Sequence, residues 1–402
     1  MPAPMTDAQR AMLALLANAL FDRPLPELPD DPGQLVREAN LQGVFLLAMK
    51  NTRLDSYPAD LREEIRVSIK KYLSDNLRLD RAHASLSGLL ETAGIPHTLI
   101  KGYACALWYP DPELRQTGDI DFYVDPQDLE RAEALLAAEG FTPEKLSHKI
   151  HHVYIKDGCR YELHFGIPGV PEGAAGDRCR AYFEDMTDRS VLRQTPFGPM
   201  RVPAPFHHGL ILLLHTAHHL THSGVGLRHL CDWAVFRAKM PEEVWRKTFE
   251  EPLRTLGLWR FARCLTDLSA RYLGCPASPA EPVDAAIADG LLADALDGGN
   301  LGQKNVVRSR EAYLITAGKR SQSTPRRFFA VMTDMINQKW PVTKKIKLLV
   351  PVGWGFYGAR YLCRAAAGKR PKLYAREALR GAQERTALYN QFRLFEEERE
   401  NA

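Results

Sequence analysis

The chain has 402 residues, of which 45% are hydrophobic and 25% charged, as in a globular protein of two or three domains. Its seven cysteines form no C-x-x-C pair, which argues against a disulfide framework or a cysteine-zinc module and predicts a reducing, cytoplasmic location. The formal net charge is only +4, so any strongly charged surface must come from an uneven distribution along the chain.

The first part of the chain, residues 1–94, is predicted to be helical. Apolar residues recur at helical spacing from residue 6 onwards, with breaks in the proline-rich stretch 24–32 and at Tyr57-Pro58. The amino terminus lacks a basic segment ahead of its apolar residues, so we interpret it as a helix and not as a signal peptide.

Residues 95–166 change pattern and predict an α+β unit. Four segments are typical of strands, with helical stretches between them: PHTLIK, DIDFYV, HHVYIK and RYELHF. The clearest helix follows the second of these strands. There Asp125 can cap, Pro126 takes the first helical position and Gly140 ends the helix.

The remaining sequence predicts a loop-rich connection at 167–205, a helical domain at 206–300 and a basic, mainly helical region at 301–402. The most apolar late stretch, IKLLVPVGWGFYGARYLC, is interrupted by Pro351, three glycines and Arg360, so we predict no transmembrane segment.

Two aspartates alternate at the start of the second predicted strand. A strand directs Asp119 and Asp121 to the same face, while Ile120 and Phe122 point into a core. Like charges held side by side repel each other, and a divalent cation between them reverses the sign of that energy. A surface ion pair is the alternative, and the apolar neighbours favour metal ligation.

Two further motifs accompany this pair. The first predicted strand leads into Lys101-Gly102, where a glycine allows close approach of a ligand and a helix start offers N–H groups to phosphate. Glu162 and His164 share one face of a later strand. Together these are the parts of a two-metal phosphoryl-transfer site. Several alternatives stay open: Glu162 as a cap or as a partner of Arg115, and His164 as a hydrogen-bonded interior histidine. Lys101 and Arg115 could likewise be surface residues.

These motifs resemble the nucleotidyltransferase superfamily with the polymerase-beta-like fold, whose motif is a G-G/S turn, an acidic pair and a later acid. More closely, they resemble an uncharacterised family of bacterial nucleotidyltransferases with the pattern L-K-G … Y-p-d-p … R … G-D-I-D, an E-L-H strand and a later R-x-x-x-D helix. The matching positions are Lys101, Gly102, Tyr109, Pro110, Asp111, Pro112, Arg115, Gly118, Asp119, Asp121, Glu162, Leu163, His164, Arg228 and Asp232. The sequence departs from the superfamily at Tyr103, where a second Gly or Ser is usual.

The resemblance implies an α+β fold with a mixed-sheet core between helical regions. It also implies transfer of a nucleoside monophosphate from a nucleoside triphosphate (NTP) to an acceptor. The implied Mg²⁺ or Mn²⁺ ligands are Asp119, Asp121 and Glu162, and the implied NTP contacts are Lys101, Gly102, Arg115 and Gly118. Other residues expected near the substrate cleft are His164, His215, His219, Arg228 and Asp232. A small molecule, peptide, protein or RNA would each fit as acceptor.

A histidine-rich helix is predicted after residue 206. His215 and His219 are four residues apart, as are His218 and His222, and this spacing can bind zinc. The zinc-protease pattern requires Glu where Thr216 stands, and the chain has no His-Asp dyad. We therefore favour polar histidines packed near the cleft, with a zinc site as the alternative.

Positive charge is concentrated in residues 301–380, which contain 18 lysines and arginines against three acidic residues. A face that binds an anionic partner and a solvated helical face are equally compatible with this pattern. The functional alternative to an enzyme is a non-catalytic protein that uses the cleft and this region to bind nucleotide, RNA or an anionic surface. The absence of an aromatic RNA-stacking motif weakens that alternative.

Overall fold

The computed structural model of the chain describes residues 4–144, 149–222, 224–304, 333, 336–337, 340, 342–366 and 375–397. Four helices precede the first strand: α1 (Asp7–Phe21), α2 (Pro32–Leu41), α3 (Phe45–Met49) and α4 (Ala59–Thr92). The breaks predicted at 24–32 and at Tyr57-Pro58 both lie between helices. The helical prediction for this part of the chain is confirmed.

A five-stranded mixed sheet follows, in the order β1-β2-β5-β4-β3. Strands β2 and β5 are parallel, and the other neighbouring strands are antiparallel. The four predicted strands are confirmed, and the short β3 was not predicted. The strands are β1 (His97–Ile100), β2 (Ile120–Val124), β3 (Thr142–Pro143), β4 (His151–Lys156) and β5 (Cys159–His164). With the surrounding helices, this mixed sheet confirms the α+β fold.

Two short helices lie within this region, α5 (Gly102–Ala106) and α6 (Leu129–Ala138). Gly140 follows α6 with φ +79°, as its predicted role as helix terminator requires. The predicted capping role of Asp125 is wrong. Its side chain makes no cap hydrogen bond, because Thr187 Oγ1 donates to the carboxylate from a segment 62 residues away.

Regular structure also occupies part of 167–205, which the sequence predicted only as loop-rich. It contains α7 (Ala174–Ala181) and a hairpin of β6 (Val191–Thr195) and β7 (Gly198–Val202). The helices that follow are α8 (Pro205–Thr221), α9 (Leu227–Ala238), α10 (Glu242–Thr255), α11 (Trp259–Leu273) and α12 (Ala285–Gly298), and then Val342–Lys345, Val350–Ala366 and Ala375–Asn390. In the described part of the chain, no helix is both long and apolar enough for a bilayer crossing.

Two apolar cores organise these elements. One lies under the sheet and combines buried residues of α4, the central strands and the hairpin, including Leu90, Phe122, Leu163 and Met200. The other combines α1–α3 with the helices after residue 205, including Leu16, Phe45, Trp233 and Trp259. The 34-residue α4 contributes to both cores, so it holds the sheet in place against the helical part. The proposed domain boundaries stay a prediction.

Candidate active site

A pocket of about 330 Å³ is lined by residues of the sheet and of the α8–α9 pair. Every residue that the sequence indicated for the site lines this pocket. They are Lys101, Gly102, Arg115, Gly118, Asp119, Asp121, Glu162, His164, His215, His219, Arg228 and Asp232. Their individual roles stay predictions, and the geometry below decides which roles we propose.

Asp121 is buried near the start of β2, with only 2% of its surface exposed. Lys101 Nζ lies 2.5 Å from its Oδ1, and His164 Nε2 donates to the same oxygen at 2.8 Å. Burial raises the pKa of this carboxyl, but the ammonium of Lys101 and the hydrogen bond from His164 outweigh burial and lower it. Asp121 is therefore an anion held by two donors.

Asp119 immediately precedes β2 and experiences the charge of its neighbour. The negative charge of Asp121, and then burial, raise the pKa of Asp119 to about 6, although Lys101 opposes the shift. Glu162 also contributes to this rise. The pocket therefore holds more negative charge around Asp119 than its own cations compensate.

Glu162 lies beside Asp121 in the parallel register of β2 and β5. Arg160 Nε is 3.3 Å from Oε1 of this carboxylate, and Nε2 of His164 and of His151 lie 3.5 and 3.8 Å from Oε2. Burial raises the pKa of Glu162, but the hydrogen bond from His164 opposes burial and the net pKa is lowered. Glu162 is thus ionised and surrounded by donors.

Lys101 and Gly102 form a sharp turn between β1 and α5. Both have positive φ, +54° for Lys101 and +35° for Gly102, a backbone region that residues other than glycine rarely adopt. A Cβ on Gly102 would lie 2.7 Å from Nε2 of the buried His83. A glycine is therefore favoured at position 102 for two structural reasons, the positive φ and the nearby His83 of α4. The sequence had predicted this glycine for a different reason, the close approach of a ligand.

Arg115 is fixed by protein partners on all three of its guanidinium nitrogens. Its Nε and Nη2 donate to Asp232 at 2.7 and 2.8 Å, and its Nη1 donates to the carbonyl of Gly102 at 3.0 Å. Tyr109 donates to the same carboxylate at 2.7 Å. The alternative pairing of Glu162 with Arg115 is therefore wrong, because Arg160 takes that place.

Arg228 is the other guanidinium of the pocket. Its Nη1 donates to the carbonyl of Gln116 at 3.3 Å, and the Arg228 guanidinium forms no ion pair with any described residue. Burial, and then the nearby charge of Arg115, lower the pKa of Arg228, although Asp232 and Asp119 oppose the shift. An anionic ligand would relieve the cost of holding this cation in the pocket.

The loop that leads to the acidic pair is anchored by α4. Asn76 Nδ2 donates to the carbonyls of Glu113 and Arg115 at 2.7 and 3.1 Å, and its Oδ1 accepts the amide of Thr117 at 3.2 Å. Gly118 follows, and a Cβ added to it would meet no atom of the described residues within 4 Å, its chain neighbours apart. The space beside Gly118 is therefore open toward the pocket that it lines.

The histidines of α8 meet a third histidine that the sequence did not indicate. His215 and His219 lie with their Nε2 atoms 2.9 Å apart, and His229 joins them from α9. Burial lowers the pKa of His219 to about 2 and that of His229 to about 4. The other predicted pair is different, because the rings of His218 and His222 stack with centroids 4.1 Å apart.

Two groups of potential metal ligands occur among the described residues, each with ligand atoms within 4.8 Å of one another. They are His215, His219 and His229, and His151, Glu162 and His164. Asp119 and Asp121 belong to neither group. Lys101 and His164 occupy the space next to Asp121, so the predicted acidic trio lines one pocket without converging on a point.

Several neighbours of the predicted residues escaped sequence analysis. Three of them, His83, His151 and His229, reach the site through tertiary packing, whereas Arg160 lies two residues before Glu162 on β5. The available signals were weak: His151 starts a predicted strand, and His229 directly follows Arg228 of the R-x-x-x-D motif.

Comparison with protein families identifies the chain. The model of the family described as "Uncharacterised nucleotidyltransferase" matches residues 29–274, which include every residue of the pocket discussed above. The chain belongs to this nucleotidyltransferase family. Membership confirms the predicted resemblance and supports a role of the chain in nucleotidyl transfer. A comparison with the curated proteins gave no match.

Most lysines and arginines in the basic region of this nucleotidyltransferase have side chains outside the described part of the structure. Of its lysines and arginines, Lys304, Lys347 and Arg360 have described side chains. Lys304 binds Glu38 of α2 at 2.6 Å, so its charge serves the fold. The hypothesis of an anionic partner at 301–380 therefore concerns mainly residues outside the described ranges and stays a prediction.

Proposed function

We propose that the chain is a metal-dependent nucleotidyltransferase that moves a nucleoside monophosphate from an NTP to an acceptor and releases pyrophosphate. One observation carries this proposal: besides the paired Arg115 and Asp232, a single pocket holds three carboxylates and two cations. The carboxylates are Asp119, Asp121 and Glu162, and the cations are Lys101 and Arg228. Such a pocket suits a substrate that combines a divalent cation with a polyphosphate.

The carboxylates fit a hard divalent cation such as Mg²⁺ or Mn²⁺, which prefers oxygen ligands. The raised pKa of Asp119 supports the fit, because it reports negative charge that the pocket's own cations do not compensate. When bound, such a cation neutralises the triphosphate and lowers the pKa of an attacking hydroxyl. Lys101, which holds Asp121 in this structure, can then turn to a phosphate oxygen.

We assign the main triphosphate contact to Arg228 and a positioning role to Arg115. Arg228 lines the pocket and makes only a carbonyl contact among the described residues, so its guanidinium retains donors for phosphate oxygens. Arg115 instead holds the turn at Gly102 against Asp232 of α9. Gly102 and Gly118 line the same pocket, and we propose that their backbone contacts the phosphates.

We assign Glu162 to the side of the acceptor. It corresponds to the later acid of the superfamily motif, and we propose that it completes the cation site that serves the attacking hydroxyl. His164 orients Asp121 by donating to its Oδ1. Catalysis then consists of positioning and charge stabilisation, as is general for phosphoryl transfer. Small molecules, peptides, proteins and RNA ends remain the acceptor classes.

The reaction is tested with purified protein, Mg²⁺, a cell extract and each NTP labelled either at the α- or at the γ-phosphorus. We expect an acceptor to retain label from one α-labelled NTP and none from its γ-labelled form, since pyrophosphate leaves. The Asp121→Asn variant should transfer no label. The matched control is Asp125→Asn, which alters a carboxylate just beyond β2 and outside the pocket.

Two outcomes contradict the proposal. Transfer of the γ-label would make the chain a phosphotransferase of another class. The second outcome is that folded wild type and folded Asp125→Asn transfer no α-label from any of the four ribonucleotides or four deoxyribonucleotides. That result would contradict the assignment as an enzyme.

A further inference from the structure

The three histidines at the α8–α9 junction have a geometry that their packing does not explain. His215 and His219 are one helical turn apart on α8, so their rings project from the same side. Their Nε2 atoms are 2.9 Å apart, and a ring nitrogen of His229 lies within 4.8 Å of both. The three rings come from two helices and face one point.

Hydrogen bonding alone leaves this cluster unsatisfied. One imidazole of the His215–His219 pair can donate to the other, but that bond provides nothing for the third ring. His229 is 5% exposed, and its buried Nε2 has no hydrogen-bond partner among the residues that the structure describes. The amide of Gly226 lies 3.4 Å from its Nδ1, too long a contact to hold that nitrogen as an acceptor. The ring can therefore carry its proton on Nδ1 and present Nε2 as a ligand. A buried polar atom left unpaired destabilises the folded protein.

We propose that His215, His219 and His229 bind one transition-metal ion of the zinc class, with its fourth position open to the pocket. Neutral imidazoles suit Zn²⁺ and its neighbours, whereas Mg²⁺ prefers oxygen ligands. Three histidines plus an open position form a recurrent arrangement of catalytic zinc. This site is separate from the acidic trio of the proposed function, and its existence does not depend on that function.

The distances support this assignment. Ligands about 2.0–2.1 Å from a tetrahedral zinc lie roughly 3.3 Å from one another. The Nε2 atoms of His215 and His219, 2.9 Å apart, need to separate by only a few tenths of an ångström. Both residues are half-buried near one end of α8, where such an adjustment disturbs little packing.

Charges near the cluster decide what occupies the open position. The positive charges of Lys101 and Arg228 lie in the same pocket and repel a cation at the cluster. An anionic oxygen ligand offsets this repulsion. The cluster lines the same pocket as Asp119 and Glu162, so the open position is accessible to an oxygen atom of a bound substrate.

The site is tested by titrating untagged, chelator-treated protein with Co²⁺, a spectroscopic substitute for Zn²⁺. We expect one equivalent to give the intense visible absorption of a tetrahedral ion, which added Zn²⁺ removes and added Mg²⁺ does not. Octahedral Co²⁺ on the oxygen ligands of the acidic trio would lack this absorption, so the band reports the histidine site alone. His229→Gln and His219→Gln should each weaken binding at least about 100-fold. Circular dichroism verifies the fold, and the more exposed His219 provides a second variant if His229→Gln does not fold.

Two controls separate this site from its alternatives. His222→Gln removes an exposed histidine from the stacked His218–His222 pair and should leave Co²⁺ binding unchanged. Asp119→Asn should also leave it unchanged, so failure of the acidic site does not affect the result. The proposal is overturned if wild type binds no stoichiometric Co²⁺. It is equally overturned if folded His219→Gln binds Co²⁺ as tightly as wild type, or if His222→Gln abolishes binding.

Discussion

Ionisation of Asp119 is less favourable in the folded protein than in the unfolded chain. Its folded pKa of about 6 lies above the value near 4 of an ordinary aspartate, chiefly because Asp121 is ionised beside it. Between these pH values the unfolded chain loses the proton before the folded protein does. Stability contributed by this group therefore decreases as pH rises through that window, and the full cost is present above about pH 6.

The Asp119→Asn variant tests this electrostatic cost. Without a divalent cation, we expect it to be more stable than wild type by about 1–3 kcal/mol at pH 8 and by roughly half of that at pH 5. Urea unfolding in a chelator at both pH values measures the difference, with the exposed Asp177→Asn as control. A variant less stable than wild type at pH 8, or a gain independent of pH, would contradict the assignment.

Glu162 and its neighbour His164 should differ in their kinetic roles. Glu162→Gln removes a charge that we place on the side of the acceptor, so transfer should slow at least about 100-fold with little change in NTP affinity. His164→Gln keeps an amide donor for Asp121, and it should cost much less. Single-turnover transfer of α-label measures both. Glu162→Gln within a few-fold of wild type would exclude Glu162 as a ligand that serves the acceptor.

At the scale of elements, one buried ion pair connects the turn after β1 to α9. The Arg115 and Asp232 side chains are about 6–7% exposed and make two hydrogen bonds, while Tyr109 adds a third. Removal of one partner leaves the other charged and buried, which typically costs about 3–5 kcal/mol. This pair therefore fixes the pocket wall and does not primarily bind substrate.

Denaturant unfolding of Asp232→Asn tests the role of the pair. We expect a loss of about 3–5 kcal/mol, and the double variant Arg115→Met, Asp232→Leu should recover part of it because no unpaired charge remains. As control, Asp177→Ala removes an exposed pair with Arg180 and should change stability by less than about 1 kcal/mol. A loss for Asp232→Asn as small as in this control would show that the pair is not a structural anchor.

The sequence predicted those elements whose signal is local. The alternating pattern of HHVYIK and DIDFYV identified β4 and β2, because period two is visible within six residues. The β6–β7 hairpin was missed, because β6 is largely exposed with little alternation, and because β7 packs on α4 only in the folded chain. Asp125 illustrates the same limit, since its partner Thr187 is distant in sequence.

The site shows the same division. The acidic pair and the Lys-Gly turn were evident from spacing, and all twelve indicated residues line one pocket. What each of them contacts could not be read from the sequence. The sequence indicated Arg115 as a phosphate contact, but in the structure it binds Asp232, which lies 117 residues later. His229 was missed because it lies on α9 and His219 on α8, and sequence spacing predicts proximity only within one helix.

At the scale of the whole molecule, charge and fold are coupled at α2. Lys304 belongs to the basic region, yet its ammonium is bound by the buried Glu38 of α2. Through Lys304, the start of the basic region is therefore attached to the N-terminal helices. The other lysines and arginines of 301–380 retain the two interpretations given by the sequence.

Reversal of Lys344, Lys345 and Lys347 to Glu separates these interpretations. If the region binds an anionic partner, binding to generic RNA or to anionic vesicles should fall steeply with salt and weaken in the triple variant, because each neutralised phosphate releases counterions. NTP affinity should not change. Weak, salt-insensitive binding by wild type to both would leave the charge as a solvated face and favour a small molecule or peptide acceptor.

The central claim is that the acidic pair holds a divalent cation together with a triphosphate. Calorimetric titration with a non-hydrolysable NTP, with and without Mg²⁺, measures this most directly in wild type, Asp121→Asn and the control Asp125→Asn. We predict Mg²⁺-dependent binding in wild type and control, and at least about 100-fold weaker binding in Asp121→Asn, with the fold retained. Equal affinity in Asp121→Asn, or wild-type binding that does not require a divalent cation, would contradict the account.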